Sequence, residues 1–257
     1  MINVLINGCN GKMGKTLVNY INDNVLDMCV KYMIDKNTGL SFDKIKNIIE
    51  NIESNNINNF TKPDVIIDFS TTEGTFSALD FASQSLIPIV IATTGFNKKE
   101  EKTIKEYSEA IPIFKSSNFS YSISLISNLL KKIAPLLSDM DIEILEKHHN
   151  NKEDAPSGTA LLFADSINSV SENKYEYVFN RHNKNTIRNK NEIGFSSIRG
   201  GNLVGEHSVI FYSEYDNIEI KHTSYSRNIY AKGAISAAKF IIQKKYGLYT
   251  MEDLINS

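Results

Sequence analysis

Cysteine is scarce in this chain, with only Cys9 and Cys29 among 257 residues. Neither belongs to a Cys-x-x-Cys pair or to the mixed Cys and His spacing of a zinc site, so the familiar cysteine-based metal and redox motifs are excluded. Both lie in apolar stretches near the amino terminus. We therefore predict that both are buried thiols.

Long hydrophobic runs are also missing. Nowhere are about 18 apolar residues consecutive, which is the length that a membrane-spanning helix needs. The sequence opens on "MINVLING", without the basic start, apolar stretch and small-residue cleavage site of a secretory signal. We therefore expect a cytoplasmic enzyme or binding protein.

A strong charge of either sign is absent, because 28 basic residues stand against 30 acidic ones, for a formal net charge of −2. Without blocks of like charge the chain shows no electrostatic footprint for nucleic acid or for an acidic membrane surface. Its 41% hydrophobic residues suffice for one large or two modest domains.

The first part of the chain, to about residue 118, alternates short apolar runs with longer amphipathic ones. The runs "DVIIDF" and "IPIVIA" lack polar alternation, as expected of strands that helices cover on both faces. Strand, helix and strand in repetition indicate right-handed βαβ units. The sequence thus predicts an α/β fold with a Rossmann-like, doubly wound parallel sheet.

The pattern changes after residue 119. A long amphipathic helix, "YSISLISNLLKKIAPLL", precedes a strand, "DIEILEKHH", a second helix, "GTALLFADSINSV", and three segments with strand alternation. This predicts a second, α+β domain. The small-residue helix "AKGAISAAKFIIQKKYG" is expected to return to the first domain, which gives residues 1–119 with 228–257 as one domain and 120–227 as the other.

A glycine turn follows the first strand, in "INGCNGKMG". Gly8, Gly11 and Gly14 remove side chains that would keep a pyrophosphate from the backbone, and the following helix presents its amino-terminal dipole. Lys12 adds a positive charge. A tight strand-to-helix turn without a ligand remains the alternative.

An acid and a base end the second strand. Asp35 is placed to bind the ribose hydroxyls of an adenosine, and the adjacent Lys36 is placed to bind a 2′-phosphate. The pair therefore fits either NADH or NADPH. For Lys36, a solvated loop lysine is an equally good interpretation.

Small and hydroxylated residues follow the next strands, in "DFSTTEG" (68–74), "ATTGF" (92–96) and "SSNFS" (116–120). Ligands of doubly wound sheets bind beyond the carboxyl ends of the strands, so these segments are candidates for the nicotinamide side. Ordinary helix capping by Ser70, Thr71 and Thr72 is the alternative.

The densest polar stretch is "HHNNKEDAPSGTA", from His148 to Ala160. Two consecutive residues on a strand point to opposite faces, so His148 and His149 are poor joint metal ligands, and no metal is expected. A helix predicted to start at Thr159 offers amides to a carboxylate, with Lys152 nearby. The alternative is that Ser157 only caps this helix and the histidines are surface residues.

Two weaker clusters accompany this stretch. They are "IRGGNLVGEH", with Arg199 and His207, and "HTSYSRNIYAKGA", with His222 and Arg227. Isolated arginines and histidines are more often solvated or paired structurally. We treat these four as supporting residues whose roles are open.

These segments, in this order, resemble the 4-hydroxy-tetrahydrodipicolinate reductase family, long called dihydrodipicolinate reductase, of lysine and diaminopimelate biosynthesis. The resemblance covers nearly the whole chain. Its most specific part is "DIEILEKHHNNKEDAPSGTA", whereas the glycine turn is not specific. The other matching segments are "GCNGKMG", "DVIIDFSTTEGT", "IATTGF", "SSNFS", "IGFSSIRGGNLVGEH" and "SRNIYAKGA".

The resemblance implies a homotetramer whose nucleotide domain closes over a second domain, residues 120–227, for binding a small dicarboxylate and for oligomerisation. It implies His148 and Lys152 as the catalytic pair, His149 as a substrate contact, and Gly158 with Thr159 as carboxylate-binding amides. The implied cofactor is NADH or NADPH. Its implied binding positions are Gly8, Cys9, Asn10, Gly11, Lys12, Met13, Asp35, Lys36, Ala92, Thr93, Thr94, Ser116, Ser117, Asn118 and Phe119.

The implied reaction is hydride addition from the nicotinamide to the conjugated cyclic imine that forms when the hydroxylated substrate loses water. The resulting enamine gains a proton, with Lys152 and His148 as donors. Three departures from the family pattern leave cofactor preference open: Lys12 replaces an arginine, Asn150 and Asn151 replace basic residues, and the region after Lys36 is short.

Two other functions fit parts of the sequence. Another dinucleotide-linked reductase, such as an amino-acid dehydrogenase, would also use a basic proton donor and a carboxylate pocket. A nonenzymatic nicotinamide-binding sensor would need no proton donors, and an assay of NADH oxidation separates it from an enzyme.

Overall fold

The computed structural model describes residues 1–55, 61–172, 174–179, 181 and 186–257. It divides the chain into two compact units. Unit 1 comprises Met1–Ser120 with Asn228–Ser257, and unit 2 comprises Tyr121–Arg227. Within the described residues no helix has the length and apolar character to span a membrane.

The strands and helices are numbered in chain order. The strands are β1 (Ile2–Asn7), β2 (Met28–Ile34), β3 (Val65–Asp68), β4 (Ile89–Ile91), β5 (Pro112–Lys115), β6 (Asp141–His148), β7 (Glu176–Val178), β8 (Glu192–Arg199), β9 (Gly205–Tyr212), β10 (Asn217–Ser224) and β11 (Gly247–Tyr249). The α-helices are α1 (Lys12–Asn24), α2 (Phe42–Asn55), α3 (Thr72–Ser85), α4 (Lys98–Tyr107), α5 (Tyr121–Ile133), α6 (Gly158–Val170), α7 (Asn228–Ile241) and α8 (Met251–Ile255).

Unit 1 contains a parallel sheet with the strand order β11-β5-β4-β3-β1-β2. Its strands bury both faces. On β1, Val4 and Ile6 pack with α1 and α7, while Leu5 between them packs with α2, α3 and α4. The predicted doubly wound sheet is therefore confirmed, since unpatterned apolar strands are the ones that helices cover on both sides.

The carboxyl-terminal tail returns to unit 1, but its details differ from the prediction. Helix α7 ends at Ile241, before the predicted helical segment does, and β11 then pairs in parallel with β5 as a sixth strand. Three residues are too short to show a strand pattern, which is why sequence alone did not indicate β11. Cys9 is buried as predicted, whereas Cys29 on β2 is only partly buried.

Unit 2 contains a mixed sheet with the order β10-β9-β6-β8-β7. Helices α5 and α6 pack with it through a common core that includes Ile142, Ile144 and Phe163. The predicted α+β character is confirmed, with two corrections. The first helix ends at Ile133, and the rest of the segment, Ala134–Leu137, is a short 3₁₀ turn that contains a proline near its start.

The second correction concerns the start of α6. This helix spans Gly158–Val170, which confirms the predicted segment "GTALLFADSINSV", and it therefore begins one residue before the Thr159 start used for the anion site. Ser157 is its N-cap and accepts a hydrogen bond from the amide of Ala160 at 3.3 Å. The capping alternative for Ser157 is therefore correct as far as the helix is concerned.

Candidate active site

The glycine turn of unit 1 is close-packed at two of its three glycines. Gly8 has φ +80°, and a Cβ there would lie 2.4 Å from the carbonyl oxygen of Phe69. A Cβ on Gly14 would lie 2.1 Å from the carbonyl oxygen of Gly8. Gly11 is different, because a Cβ there would meet that same oxygen only at 3.4 Å. Gly8 and Gly14 are thus required by packing, and Gly11 is not.

The amides of the turn are mostly used within the protein. Gly8 and Cys9 donate to the carbonyl of Ile34 at 2.8 and 3.2 Å, Gly11 donates to Gly8, and Asn10 donates to Asp35 Oδ2 at 3.1 Å. Helix α1, by contrast, has no side-chain cap and no acid in its first turn. The amides at the start of α1, from Lys12 and Met13, are therefore the groups of this turn that are placed for an anion.

A cavity of about 560 Å³ opens beside the turn. Gly8, Gly11, Asp35 and Lys36 line it, together with residues of α3. Cys9 does not line it: the thiol is buried, and burial followed by the nearby Asp35 carboxylate raises the pKa of Cys9. The Cys9 side chain, which was among the predicted cofactor-binding positions, instead belongs to the core cluster of unit 1.

A buried carboxylate joins the strand ends that were predicted to face the nicotinamide. Asp68, at the end of β3, is fully buried and accepts hydrogen bonds from Asn7 Nδ2 at 2.8 Å, Ser70 Oγ at 2.5 Å, Thr75 Oγ1 at 2.5 Å and Thr93 Oγ1 at 2.9 Å. Burial raises the pKa of Asp68, and the four donors oppose that rise. The carboxylate holds β1, β3, β4 and the first turn of α3 in one arrangement.

This network changes the interpretation of the hydroxylated segments. The Thr93 hydroxyl is buried and binds Asp68, and Thr71 caps α3 by accepting from the Gly74 amide at 3.2 Å. The capping alternative is thus correct for Thr71. Thr94 is exposed, and Ala92 is half-buried with its amide bound to the Asp68 carbonyl at 2.9 Å.

The segment from Ser116 to Phe119 forms a self-bonded turn after β5. Ser116 Oγ donates to the carbonyl of Asn118 at 2.7 Å, and Ser117 is exposed. The Phe119 ring is buried against Phe69 and Phe114, with centroid separations of 6.1 and 5.8 Å. The Phe119 side chain therefore belongs to the core and is closed to a ligand.

In unit 2, the sheet face that packs against α5 and α6 changes from apolar to polar along its strands. One cross-strand row joins Ile144 of β6 to Phe195 of β8 and Val209 of β9. The next row on the same face joins Glu146 to Ser197, His207 and, through β9, His222 of β10. The last row pairs His148 with Arg199. On this face, two rows of polar groups therefore follow rows whose residues on β6, β8 and β9 belong to the core.

Glu146 is the centre of these polar rows. Its side chain is 1% exposed, and it receives Arg199 Nη1 and Nη2 at 2.9 and 2.7 Å and contacts His148 Nδ1 at 2.5 Å. Although burial by itself raises the pKa of Glu146, the hydrogen bonds from Arg199, Ser197 and His148 lower it to about 2. Burial lowers the pKa of His148, which Glu146 only partly offsets.

His207 links the polar rows to the start of α6. Its Nε2 lies 2.8 Å from Ser157 Oγ, and its ring stands edge-to-face with His148 at 5.0 Å between centroids. Burial, followed by the charge of His148, lowers the pKa of His207 to about 3. A neutral imidazole therefore supports the residue that caps α6. Gly158 is exposed there, with open space where a Cβ would project.

The loop after β6 carries Lys152. Its ammonium binds both oxygens of Asp154, at 2.7 and 2.9 Å. Burial raises the pKa of Asp154, but the hydrogen bond and charge of Lys152, with smaller contributions from a backbone amide and from Arg199, lower it overall. The loop is tied back to the sheet, because Arg199 Nη2 also donates to the carbonyl of Asp154 at 2.6 Å. The positive charge of Lys152 also contributes to the lowered pKa of His148.

The remaining candidates of unit 2 are less engaged. His149 donates its amide to Leu203 at 2.8 Å, and its buried Nδ1 has no hydrogen-bond partner among the described residues. Nδ1 of His222 is also buried without a hydrogen-bond partner among the described residues, and burial lowers the pKa of His222. Arg227, the last residue of unit 2, is exposed.

Comparison with known proteins accounts for both units. The model of the family described as "Dihydrodipicolinate reductase, N-terminus" matches residues 2–119, and the model described as "Dihydrodipicolinate reductase, C-terminus" matches residues 122–255. The chain belongs to the dihydrodipicolinate reductase family.

Individual members of this family resemble the chain over its full length. A 4-hydroxy-tetrahydrodipicolinate reductase of Caldanaerobacter subterraneus subsp. tengcongensis is 46% identical over 256 residues, which cover 99% of this chain and 98% of that one. One of Clostridium tetani is 42% identical and covers 100% and 98%. The dipicolinate-bound dihydrodipicolinate reductase from Paenisporosarcina sp. TG-14 superimposes with a TM-score of 0.76 at 25% identity, covering 100% of this chain and 99% of that one.

Sequence reasoning overlooked two residues of this dihydrodipicolinate reductase fold. Glu146 shares a strand face with His148 two residues later, and an acid and an imidazole at that spacing are side by side on a strand. Asp68 ends a fully apolar strand, where an acid is placed at the ligand-binding edge of a parallel sheet. The two-residue spacing of Glu146 from His148 and the position of Asp68 at a strand end are the sequence features that could have identified these residues.

Proposed function

We propose that this chain reduces 4-hydroxy-tetrahydrodipicolinate, through dihydrodipicolinate, to tetrahydrodipicolinate with NADH or NADPH, in lysine and diaminopimelate biosynthesis. The observation that carries the proposal is the buried face of β6, which changes from Ile142 and Ile144 to Glu146 and His148 beside the Lys152 loop. Membership of the family and the dipicolinate bound to the Paenisporosarcina relative support it.

The groups of unit 1 fit a dinucleotide. The uncapped start of α1 and a turn in which Gly8 leaves no room for a side chain suit a pyrophosphate, and Asp35 and Lys36 line the adjoining cavity. In the proposal, Asp35 binds ribose hydroxyls and Lys36 binds a 2′-phosphate. When bound, the reduced nicotinamide supplies the hydride that the reaction needs.

The groups of unit 2 fit a dicarboxylate and a proton transfer. The first turn of α6 has no acid, so the amides of Gly158 and Thr159 are assigned to a substrate carboxylate and His149 to a second contact. Lys152 and His148 are assigned as proton donors. Because the pKa of His148 is lowered, Lys152 is the principal donor near neutral pH.

Assembly and location belong to the same proposal. The sheet face opposite α5 and α6 exposes Ile198 and Tyr212, by 49% and 42%, which favours burial against other copies of the chain. We therefore infer a homotetramer built on unit 2. A cytoplasmic location, where reduced nicotinamide nucleotides are available, completes the proposal.

A coupled assay tests the proposed activity. The cyclic substrate is generated in situ, and oxidation of NADH or NADPH is followed by the loss of absorbance. Substrate-dependent oxidation of either nucleotide supports the proposal. A chain that binds the nucleotide but oxidises it no faster with substrate than without would be a binding protein instead.

A further inference from the structure

The two proton donors of the proposed reaction are joined by a continuous set of contacts. His148 Nδ1 meets Glu146, Glu146 binds the two terminal nitrogens of Arg199, and Arg199 binds the carbonyl of Asp154. The side chain of Asp154 binds Lys152. Every separation in this series lies between 2.5 and 2.9 Å.

A buried ion pair of this kind contributes little net stability, because desolvation of the two charges offsets their attraction. Glu146 is nevertheless almost fully buried where its neighbours along the strand face, Ile142 and Ile144, are core residues. An apolar residue would continue that core. The position of Glu146 at the boundary with His148 therefore points to a role other than holding the sheet together.

We propose that Glu146 and Arg199 are positioning residues: Glu146 fixes the orientation and tautomer of His148, and Arg199 holds the loop that carries Lys152. The inference rests on the proposed reductase function. Neither residue needs to touch the substrate, since each acts through a donor that does.

The tautomer follows from the chemistry of the contact. An ionised carboxylate only accepts hydrogen bonds, so His148 donates its Nδ1 proton to Glu146 and presents Nε2 on the other side of the ring, the nitrogen that must gain a proton before His148 can act as a donor. Nε2 faces Gly205, where a Cβ would stand 3.0 Å away. The charged and titratable groups that face this imidazole are Glu146, Lys152, Arg199 and, from β9, His207.

The loop position follows from the geometry of Arg199. Its planar guanidinium binds Glu146 with both terminal nitrogens while Nη2 also reaches the carbonyl of Asp154, a fixed fork geometry that the point charge of an ammonium does not reproduce. Asp154 lies two residues from Lys152, so the same contact limits where the Lys152 stem begins. The fork of Arg199 thus sets one boundary of the space that Lys152 can reach.

Two variants separate the two roles. In Glu146→Gln the carboxylate that favours protonated His148 is lost while the charges of Arg199 and Lys152 remain, so the pKa of His148 falls. In Arg199→Lys a positive charge stays near Glu146, but the bidentate link to the sheet and the tie to Asp154 are lost. We expect kcat to fall roughly 10- to 100-fold in both, with the KM for the nucleotide unchanged.

The pH dependence then distinguishes them. Glu146→Gln is expected to move the titration of the His148 ring, followed by NMR, to lower pH by roughly one unit or more, and to remove the preference for the Nδ1-protonated tautomer. Arg199→Lys is expected to leave both close to wild type. The ring nitrogen shifts report the tautomer without any turnover.

Glu192→Gln is the matched control. Glu192 is also a buried carboxylate bound by an arginine, with Arg181 Nη2 at 2.9 Å, and it begins the strand that Arg199 ends. Seven residue steps along the strand separate Glu192 from Arg199, by roughly 23 Å. The control should lower the melting temperature as Glu146→Gln does, with kcat and the His148 titration unchanged.

The outcomes are distinct. If Glu146→Gln folds and keeps the wild-type kcat, His148 titration and tautomer, the positioning role is overturned. The same holds if Glu192→Gln reduces kcat as much as Glu146→Gln. Should Glu146→Gln not fold, the kinetics of Arg199→Lys and the tautomer of His148 in the wild type decide, and an Nε2-protonated neutral ring would refute the assignment.

A wild-type chain without substrate-dependent nucleotide oxidation would instead overturn the proposed function, and this inference with it.

Discussion

Gly205 lies directly against the His148 imidazole: a Cβ on this glycine would stand 3.0 Å from Nε2. The residue is buried at the first position of β9, and its backbone does not need a positive φ, so alanine can occupy it without backbone strain. The absence of a side chain here keeps Nε2 uncovered. Gly205→Ala is therefore expected to lower kcat roughly tenfold by displacing the ring by a few tenths of an ångström. Steady-state kinetics check this, and an unchanged kcat would show that Nε2 of His148 is not the functional atom.

Lys152→Ala is expected to lower kcat by roughly 10²- to 10⁴-fold, because the principal proton donor is removed. The dissociation constant for NADH should stay close to wild type, since the nucleotide groups belong to unit 1. Isothermal titration with NADH and the coupled assay give the two numbers. Equal losses in turnover and in NADH affinity would contradict the assignment of Lys152 as a donor.

The three glycines of the turn are expected to respond differently to alanine. Gly14→Ala places a Cβ 2.1 Å from the Gly8 carbonyl oxygen, so it should destabilise unit 1 by roughly 1–3 kcal/mol or more. Gly11→Ala is the control for folding, since its Cβ meets the same oxygen at 3.4 Å. Thermal denaturation compares the two. We expect Gly11→Ala to keep the wild-type melting temperature and to weaken nucleotide binding, and a similar loss of stability in both variants would refute the packing argument.

Cofactor preference is expected to depend on Asp35 and Lys36 separately. Asp35→Ala should weaken NADH binding more than NADPH binding, because ribose hydroxyls lose their acceptor. Lys36→Met should weaken NADPH binding and leave NADH binding nearly unchanged, because only the 2′-phosphate loses a charge. Dissociation constants for both nucleotides measure this, and an equal response of both nucleotides to Lys36→Met would identify it as a solvated loop lysine.

Acid is expected to destabilise unit 2 through His207. Its pKa is lowered from 6.5 to about 3, so the unfolded chain binds more protons than the folded one between these values. The free energy of unfolding therefore falls as the pH drops through this window, by on the order of a few kcal/mol. His148 and His222, whose pKa values are also lowered, contribute to the same loss.

Denaturant unfolding at about pH 7 and about pH 5 checks this prediction for the wild type and for His207→Asn. The variant should lose less stability between the two pH values, although it is less stable than the wild type at pH 7. An identical pH dependence in the two proteins would mean that His207 is not the titrating group.

Sequence patterns predicted most of unit 1 because each of its strands and helices is marked by the hydrophobic pattern of its own short segment. Each strand of the parallel sheet is an apolar run, and each helix between strands has one apolar face, so the order of elements follows from periodicity. The short strands β7 and β11 could not be predicted, since three residues show no period. The end of α5 was also misplaced, although the proline at position 135 marked it.

The site could be predicted only where its functional side chains are close together in the sequence. His148, Lys152 and the start of α6 lie within one short stretch of sequence, and their likeness to a known family was visible there. The role of Glu146 depends on burial between a sheet and two helices, and a glutamate in a strand is ordinarily exposed. The Thr93 hydroxyl could not be assigned to Asp68 either, because their contact joins neighbouring strands 25 residues apart.

The return of the tail to unit 1 has a consequence for biosynthesis of the protein. Unit 1 is built from the two ends of the chain, since α7 packs against α1 and β11 borders β5. The segment between them is continuous, so a ribosome releases all of unit 2 before the last parts of unit 1 emerge. Unit 2 is thus the first unit whose residues have all been synthesised and can fold completely. A premature stop before Asn228 would leave the amino-terminal sheet without α7, the helix that covers β1 and β3.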